Sequence, residues 1–484
     1  MNPYLIGIDV GTTGAKTVVF RADGAAQGSG YKEYSLQTAG REVTQDAEDW
    51  WQAVVQSVCE ATRGLDPQEI AGIGISAQGA SMTAVDREFR PLCPVMTWMD
   101  SRAQQEAEEL AAALGKEKIY RACGWPVNPS LDAAKLIWMQ KREPELYARA
   151  HQFVSTLEFV NQRLTGNSVI DPTCGAIRQL FNIARGDWDD DILHVVGVER
   201  SRLPKVRSTG APVGGLTAQA AEELGLPEKT PVFNGAHDQY CASLGSGAVR
   251  PGDLLLATGT TWVVFGIADH LMFSDTNLSP GIHPAGGFGA MASLVTAGSA
   301  LKWYKNLIGG DYASIDREAE KRIKSAENLF FLPYLAGAGF PHNRPDQRAE
   351  IYGLSLSHDR YDLALALMEG VAFEAELVLE EFRKQGIAAD RLIMTGGAAR
   401  SEIWSKLVEW ITGCAVYRMT QPETCCAGAA IIAGVGAGVF PSYDEAASVM
   451  AKMEPLEARN SEMHSFYRKK SERYRSYANK ERQP

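Results

Sequence analysis

Two segments with the same turn chemistry stand about 250 residues apart in the chain. Residues 8–14 read Ile-Asp-Val-Gly-Thr-Thr-Gly, and residues 256–261 read Leu-Ala-Thr-Gly-Thr-Thr. Glycines let backbone N–H groups approach an anion closely, and threonine hydroxyls add hydrogen-bond donors. Alone, an ordinary hairpin turn with a solvated aspartate explains the first segment equally well. The matching second segment favours a pair of hairpins that hold phosphate from two sides.

Asp9 lies at the end of the first apolar run. An aspartate beside bound phosphate suits Mg²⁺, which keeps several of its waters and is held through them. The segment lacks the GxxxxGK[ST] pattern, which excludes a Walker A loop.

Asp238 follows a short apolar strand, Pro231–Phe233, and a run of small residues. A carboxylate there can accept the proton of a hydroxyl group during phosphoryl transfer. The alternative is a helix cap, because aspartate is favoured at the start of the helix expected over Gln239–Ser243. His237 beside it is more typical of a packed histidine than of a catalyst.

A double glycine follows another apolar strand, in residues 393–401, Ile-Met-Thr-Gly-Gly-Ala-Ala-Arg-Ser. This pattern predicts a flat stretch of backbone against which a purine could lie, and a helix start that offers N–H groups. A double glycine after a strand is common, so the segment adds weight only beside the others.

Strand-like runs alternate with helical patterns along the whole chain, which predicts an α/β protein. We expect strands over Tyr4–Val10, Lys16–Arg21, Gly28–Tyr34 and Ile70–Ser76 and a helix over Asp46–Ala61; in the second half, strands over Asp253–Ala257, Trp262–Ile267 and Arg391–Thr395 and helices over Tyr361–Phe382 and Ser401–Ile411. The repeated strand–turn–strand pattern predicts two similar lobes with a boundary near residues 245–251. We therefore expect domains at 1–245 and 246–484.

Composition narrows the class of protein. The 484 residues carry a formal net charge of −11, which argues against nucleic-acid binding. The eight cysteines show no spacing typical of zinc or redox sites. No apolar run is long enough to span a membrane, and the N-terminus has no secretory pattern, so we expect a cytoplasmic protein.

These segments, in this order and spacing, resemble the FGGY carbohydrate kinases, a family of the actin-like ATPase superfamily. Further matches lie at residues 45–51, 72–79, 97–102, 331–337 and 341–343, so the resemblance covers nearly the whole chain. It implies two ribonuclease-H-like lobes with an active-site cleft between them, ATP and Mg²⁺ as cofactors, and a small sugar as substrate. A homodimer is possible.

The resemblance also implies roles for individual residues. Asp238 would be the general base, and Asp9 would orient magnesium and phosphate, so both are expected near the metal and in catalysis. The implied sugar contacts are Gln78, Gly79, Trp98, Asp100, Arg102, Asp238 and Gln239. The implied nucleotide contacts are Gly11, Thr12, Thr13, Lys16, Gly259, Thr260, Thr261, Gly298, Gly396, Gly397 and Ala398. Trp303 is expected either in the core or against the nucleotide.

The substrate is where this chain departs from its relatives. Residues 78–81 read Gln-Gly-Ala-Ser where xylulokinases usually carry Gln-Met-His-Gly, and residues 337–340 read Gly-Ala-Gly-Phe where Gly-Glu-Arg-Thr is common. We expect the smaller Gly79 and Ala80 to enlarge the sugar pocket. A ketopentose such as xylulose is favoured; glycerol, erythritol, gluconate or a deoxyketohexose is the alternative. A chaperone-type or filament-forming ATPase on the same fold, or a regulator without catalysis, remains a competing reading.

Overall fold

The computed structural model describes residues 3–421 and 423–480. The first half of the chain contains one large sheet and several smaller ones. Its strands are β1 (Tyr4–Val10), β2 (Gly14–Arg21), β3 (Ala26–Glu33), β4 (Gln37–Ala39), β5 (Glu42–Gln45), β6 (Ile70–Ala77), β7 (Met82–Val85), β8 (Val95–Met96), β9 (Gln152–Ser155), β10 (Val169–Ile170), β11 (Phe181–Asn182), β12 (Asp187–Trp188), β13 (Lys205–Val206), β14 (Pro212–Gly215), β15 (Pro231–Phe233) and β16 (Ala236–His237). Its helices are α1 (Ala47–Ala61), α2 (Gln104–Leu114), α3 (Lys116–Cys123), α4 (Asp132–Arg142), α5 (Pro144–Arg149), α6 (Thr156–Thr165), α7 (Pro172–Ile177), α8 (Asp190–Val196), α9 (Ala218–Leu224) and α10 (Asp238–Ser246).

The second half contains another large sheet and a two-stranded one. Its strands are β17 (Leu254–Thr258), β18 (Trp262–Ala268), β19 (Ser279–Ile282), β20 (Phe288–Leu294), β21 (Phe330–Leu332), β22 (Glu350–Tyr352), β23 (Arg391–Gly396), β24 (Ala415–Met419) and β25 (Met453–Pro455). Its helices are α11 (Gly298–Ile308), α12 (Tyr312–Glu320), α13 (Arg360–Lys384), α14 (Glu402–Thr412), α15 (Thr424–Gly436), α16 (Tyr443–Met450) and α17 (Ser461–Ala478).

The large sheet of the first half has the order β14-β15-β6-β1-β2-β3, with β16 also paired to β6, and that of the second half has the order β19-β20-β18-β17-β23-β24-β25. These two main sheets share one arrangement. β1 pairs antiparallel with β2 and parallel with β6, and β17 pairs antiparallel with β18 and parallel with β23. Each expected glycine–threonine turn therefore joins the first two strands of its sheet. The predicted strands and helices are confirmed with ends that differ by at most three residues, because their apolar periodicities were regular.

A smaller sheet in the first half has the order β4-β5-β8-β7-β9. It brings Gln45, at the end of β5, and Met96, at the end of β8, beside the loop that follows β6. This sheet therefore positions the side chains that approach the end of β1. Among the described residues, no helix is long and apolar enough to cross a membrane.

Helices α10 and α15 form the packing centre between the two main sheets. α15 belongs to the second half of the sequence, but it lies against β1 and β6 of the first. The core around both helices contains Val18 from β2 and Val263 from β18. The helices cross closely because Gly428 has no side chain: a Cβ there would lie 1.9 Å from the carbonyl oxygen of Cys241.

We predict that Gly428→Ala destabilises the protein by about 3 kcal/mol, because a backbone carbonyl cannot move aside without separating the helices. Urea unfolding followed by circular dichroism measures this as a lower midpoint. Gly310→Ala is the control, since a Cβ at Gly310 would meet nothing closer than 3.5 Å. Equal midpoints for both variants would show that α10 and α15 tolerate a wider crossing.

Candidate active site

The first glycine–threonine turn is held in shape from two sides. The N–H of Gly11 donates to the carbonyl of Gly14 at 3.1 Å. The Tyr34 hydroxyl donates to the carbonyl of Gly11, and the Gln45 side-chain amide donates to the carbonyl of Thr12 at 2.6 Å. The turn is therefore preorganised before any ligand binds. Tyr34 and Gln45 were not predicted, because they are distant in sequence from the turn that they support.

Asp9 is the second-last residue of β1, beside this turn, and is half-buried. Burial raises the pKa of its carboxyl to about 7; a hydrogen bond from Ser76 lowers it, and the neighbouring Asp238 and Glu423 carboxylates raise it. The Ser76 hydroxyl donates to Asp9 Oδ1 at 2.6 Å. The pKa is thus raised chiefly by burial and further by the two carboxylates, and a bound cation would offset both effects.

Lys16 is the cation nearest to these carboxylates. Its Nζ lies 2.6 Å from Glu423 Oε1, and each side chain is about one-third exposed. Glu423 directly precedes α15 and was not predicted. Lys16 was expected at the phosphates; in this structure it pairs with Glu423, and its contact with a nucleotide stays a prediction.

Asp238 is the first residue of α10, with His237 at the capping position. No side chain caps this helix, so the alternative reading of Asp238 as a helix cap is wrong. The carboxylate instead lies in the first turn of α10, beside the free N–H groups of the helix start. His237 Nε2 lies 3.4 Å from Asp238 Oδ1.

Four buried polar atoms around α10 have no hydrogen-bond partner within the described part of the chain. They are Gln78 Oε1, His237 Nδ1, Asp238 Oδ1 and Gln239 Oε1. Buried polar atoms in folded proteins are almost always paired, so a group of unpaired ones on neighbouring residues indicates a missing ligand. Three acceptors and an imidazole nitrogen suit a ligand with several hydroxyl groups. Sequence reasoning predicted three of these four residues as sugar contacts.

Trp98 connects this polar group to the first turn. Its indole N–H donates to Thr12 Oγ1 at 3.0 Å, while 42% of the residue stays exposed. Gln78 Nε2 donates to Gln45 Oε1 at 3.1 Å, and Gln45 in turn bonds the backbone of Thr12. The predicted sugar side and the predicted phosphate side are therefore one hydrogen-bonded unit.

Asp100 and Arg102 form a charged pair beside Trp98. The Asp100 carboxylate is fully buried, accepts from Arg102 Nη2 at 2.6 Å and from Arg102 Nε at 2.9 Å, and also accepts from the N–H of Val43 at 2.9 Å. Arg102 also lies 5.0 Å from the ring centroid of Trp138. These contacts fix the loop that carries Trp98. The predicted sugar contacts of Asp100 and Arg102 stay predictions.

Gly79 does not enlarge the pocket as expected. A Cβ on Gly79 would lie 2.6 Å from His237 Cδ2 and 2.8 Å from Ile177 Cδ1. The space left by the missing side chain is filled by the imidazole of His237, which lies on the neighbouring strand β16. Sequence reasoning missed this exchange because residues 79 and 237 lie on separate elements that meet only when β16 pairs with β6.

A cavity of about 440 Å³ opens beside the second glycine–threonine turn. Five of the predicted nucleotide contacts line it: Gly259, Thr260, Gly298, Gly397 and Ala398. Further lining residues that were not predicted are Trp262, Lys302, Tyr312, Asp316, Arg400, Ser401 and Trp404. The indole rings of Trp262 and Trp404 lie 4.9 Å apart and give the cavity an aromatic wall. Its size and mixed lining fit a nucleoside.

Glycines at the cavity edge allow the backbone segments to approach each other. A Cβ on Gly298 would lie 2.2 Å from the carbonyl oxygen of Gly259. Gly396 has a φ of +91°, and the N–H of Gly397 donates to the carbonyl of Thr258 at 2.7 Å. Gly396 and Thr261 shape this edge without lining the cavity. Trp303 is 45% exposed, so it does not lie in the core; its contact with the nucleotide stays a prediction.

Comparison with known proteins identifies the family. The models of the N-terminal and C-terminal domains of the FGGY family of carbohydrate kinases match residues 4–245 and 254–437. The chain belongs to this family. A xylulose kinase of Staphylococcus xylosus is 26% identical, with 91% of this chain and 92% of that protein covered. A gluconokinase of Bacillus subtilis (strain 168) is 27% identical, with 92% and 90% covered.

A solved structure of a xyloylose kinase from Brucella ovis superposes with a TM-score of 0.90, at 26% identity and 98% coverage of both chains. The FGGY kinase fold consists of two actin-like lobes with a cleft between them, and the predicted fold class is confirmed. The chain is a carbohydrate kinase with ATP as co-substrate, as the sequence indicated. The competing readings as a chaperone-type ATPase or a regulator without catalysis are not supported.

We predict that Gly79→Ala lowers kcat/KM for the sugar by about 10- to 100-fold, because the new methyl group displaces His237 and shifts the pocket wall. Steady-state ADP release measures the loss. His237→Ala in the same chain removes the clash, so the penalty of Gly79→Ala should be smaller in that background. An identical penalty in both backgrounds would mean that His237 does not occupy the space beside Gly79.

Proposed function

We propose that this FGGY kinase phosphorylates a hydroxyl of a ketopentose, xylulose or a related ketose, with Asp238 as the general base. The observation on which the proposal depends is the unpaired Asp238 oxygen at the start of α10, amid the unpaired Gln78, His237 and Gln239 atoms. The S. xylosus relative is named a xylulose kinase and gives the substrate class its support.

In the proposed reaction, Asp238 accepts the proton of the sugar hydroxyl as the oxygen bonds to the γ-phosphorus of ATP. The bond from that phosphorus to the bridging oxygen breaks, and ADP leaves. The turns at residues 11–14 and 259–261 would hold the phosphates with their N–H and hydroxyl groups. The 1–245 domain would bind the sugar, and the 246–484 domain would bind the adenosine in the cavity beside Trp404.

Magnesium is part of the proposal, because the carboxylates fit it. Burial raises the pKa of Asp9, the neighbouring Asp238 and Glu423 raise it further, and Lys16 is the nearby cation that lowers it. Asp9 and Asp238 would hold Mg²⁺, in part through waters. When bound, the ion would offset the charge of the phosphates. We also propose a cytoplasmic location; the homodimer stays a prediction.

The charges around the pocket favour a neutral ketose over an aldonate such as gluconate, although a gluconokinase is among the relatives. The nearby cations are already paired, Lys16 with Glu423 at 2.6 Å and Arg102 with Asp100 at 2.6 Å. An aldonate would therefore bring an unpaired negative charge into a negative site.

We predict that Asp238→Asn lowers kcat by about 10²- to 10⁴-fold and leaves sugar binding within about threefold, because an amide keeps the shape but accepts no proton. ADP release measures turnover, and calorimetry measures sugar binding. Asp275→Asn is the control, since Asp275 is exposed outside the site. Unchanged turnover in Asp238→Asn would remove Asp238 from the mechanism.

We predict that ketopentoses give the highest kcat/KM in a panel of ketoses, alditols and aldonates, with gluconate at least about tenfold lower, because the aldonate charge is unpaired in the site. ADP release with Mg-ATP measures each substrate. Preference for gluconate would overturn the ketose assignment while leaving the kinase family intact. No turnover with any sugar would contradict the proposed function itself.

A further inference from the structure

Lys135 is a fully buried cation whose contacts are all with backbone carbonyls. It lies on α4, and its side chain is 0% exposed. Its Nζ donates to the carbonyl oxygen of Ala80 at 2.8 Å, of Met96 at 3.1 Å and of Thr97 at 2.8 Å. An ammonium group has three donors, so all of them are used. Burying a charged group is unfavourable unless it is hydrogen-bonded in this way.

The three carbonyls belong to two segments that reach the candidate sugar pocket. Ala80 follows Gln78 and Gly79 in the loop after β6. Met96 ends β8, and Thr97 directly precedes Trp98 in the loop after it. Lys135 therefore ties the loop of the unpaired Gln78 to the loop of Trp98, beside a hydrogen bond from the Trp98 N–H to Ser81 Oγ at 3.3 Å.

The Ala80 loop needs such a tie because its backbone is strained. Ala80 has a φ of +51°, in the left-handed region that residues with a Cβ rarely adopt, and it is fully buried. Such a conformation persists only where surrounding contacts determine it. The hydrogen bond from Lys135 to the Ala80 carbonyl is a contact of this kind.

The two carboxylates that affect Lys135 each bond an arginine, while Asp132 Oδ1 has no hydrogen-bond partner among the described residues. Burial lowers the pKa of Lys135 to about 8; Asp132 and Asp100 raise it, and Arg102 and Arg178 lower it. Asp132 bonds Arg178 Nε at 2.5 Å, and Asp100 bonds Arg102 Nη2 at 2.6 Å. The ammonium thus depends on the three carbonyl dipoles for its stabilisation.

We propose that the protonated ammonium of Lys135 is a positioning group, which clamps the Ala80 and Trp98 loops in the geometry that receives the sugar. The clamp rests on the proposed function, since it acts on the same sugar pocket. A neutral amine has two donors and one lone pair, so loss of the proton removes one bond and turns the lone pair toward a carbonyl oxygen. The loops are then joined by fewer bonds, and the sugar loses its prearranged partners.

The clamp predicts a selective effect of pH. The group is protonated below about pH 8 and loses its proton above it. If only the protonated form binds, about one molecule in ten is competent at pH 9, so the Kd for the sugar rises about tenfold between pH 7 and pH 9. The Kd for Mg-ATP should stay within about twofold, because Lys135 does not line the cavity beside Trp404.

The test combines a pH series with two variants. Calorimetry with xylulose and, separately, with Mg-ATP from pH 6.5 to pH 9.5 measures both affinities in the wild-type protein. Lys135→Met should raise the KM for xylulose at least about tenfold at pH 7, leave the KM for ATP unchanged and abolish the alkaline rise. Lys141→Met is the control on the same helix, because Lys141 pairs with Glu109 at the surface and should behave as wild type.

Each outcome decides the matter. A sugar Kd that stays constant from pH 7 to pH 9.5 in the wild-type protein overturns the clamp, even if Lys135→Met does not fold. A rise that persists in Lys135→Met assigns the effect to another group and also overturns it. Absence of turnover with every sugar contradicts the proposed kinase substrate instead, and circular dichroism of each variant separates loss of folding from loss of binding.

Discussion

The site depends on holding the Asp9 carboxyl where its charged form is unfavourable. Burial raises the pKa of Asp9 most, the neighbouring Asp238 and Glu423 carboxylates raise it further, and Ser76 and Lys16 lower it. Such an arrangement is unfavourable for folding alone. Under the proposed function, a bound metal ion would offset this cost.

The fold supports this arrangement with rigid elements. Asp9 is the second-last residue of a central strand, Asp238 begins α10, and Glu423 directly precedes α15. The two helices cross at close range through Gly428, so their first residues keep a fixed relation. Because α15 comes from the second half of the chain but packs on the first sheet, the same contact joins the lobes and builds the site.

The wall around Gly79 is closely packed. Gly79 has no side chain, and the imidazole of His237, on the neighbouring strand β16, occupies the space beside it. His237 Nδ1 has no hydrogen-bond partner in the described part of the chain, and Nε2 lies 3.4 Å from Asp238 Oδ1. Lys135 bonds the carbonyl of Ala80, the residue after Gly79.

The sequence by itself determined the main strands and helices, and it determined the turns whose residue types suit phosphate binding. Regular apolar periodicity predicted β1, β2, β6, β17, β18 and the long helix α13, and the paired glycine–threonine turns predicted where phosphates would be held. Local patterns suffice for this because strand and turn preferences depend on neighbouring residues.

The tertiary structure alone decided which distant residues meet. Gln45, Tyr34 and Ser76 support the site from other strands, Glu423 reaches Lys16 across 407 positions, and Lys135 bonds carbonyls 38 to 55 positions away. It also decided that Gly79 leaves no empty space. Contacts of this kind follow from strand pairing and helix crossing, and no local pattern of residue types records them.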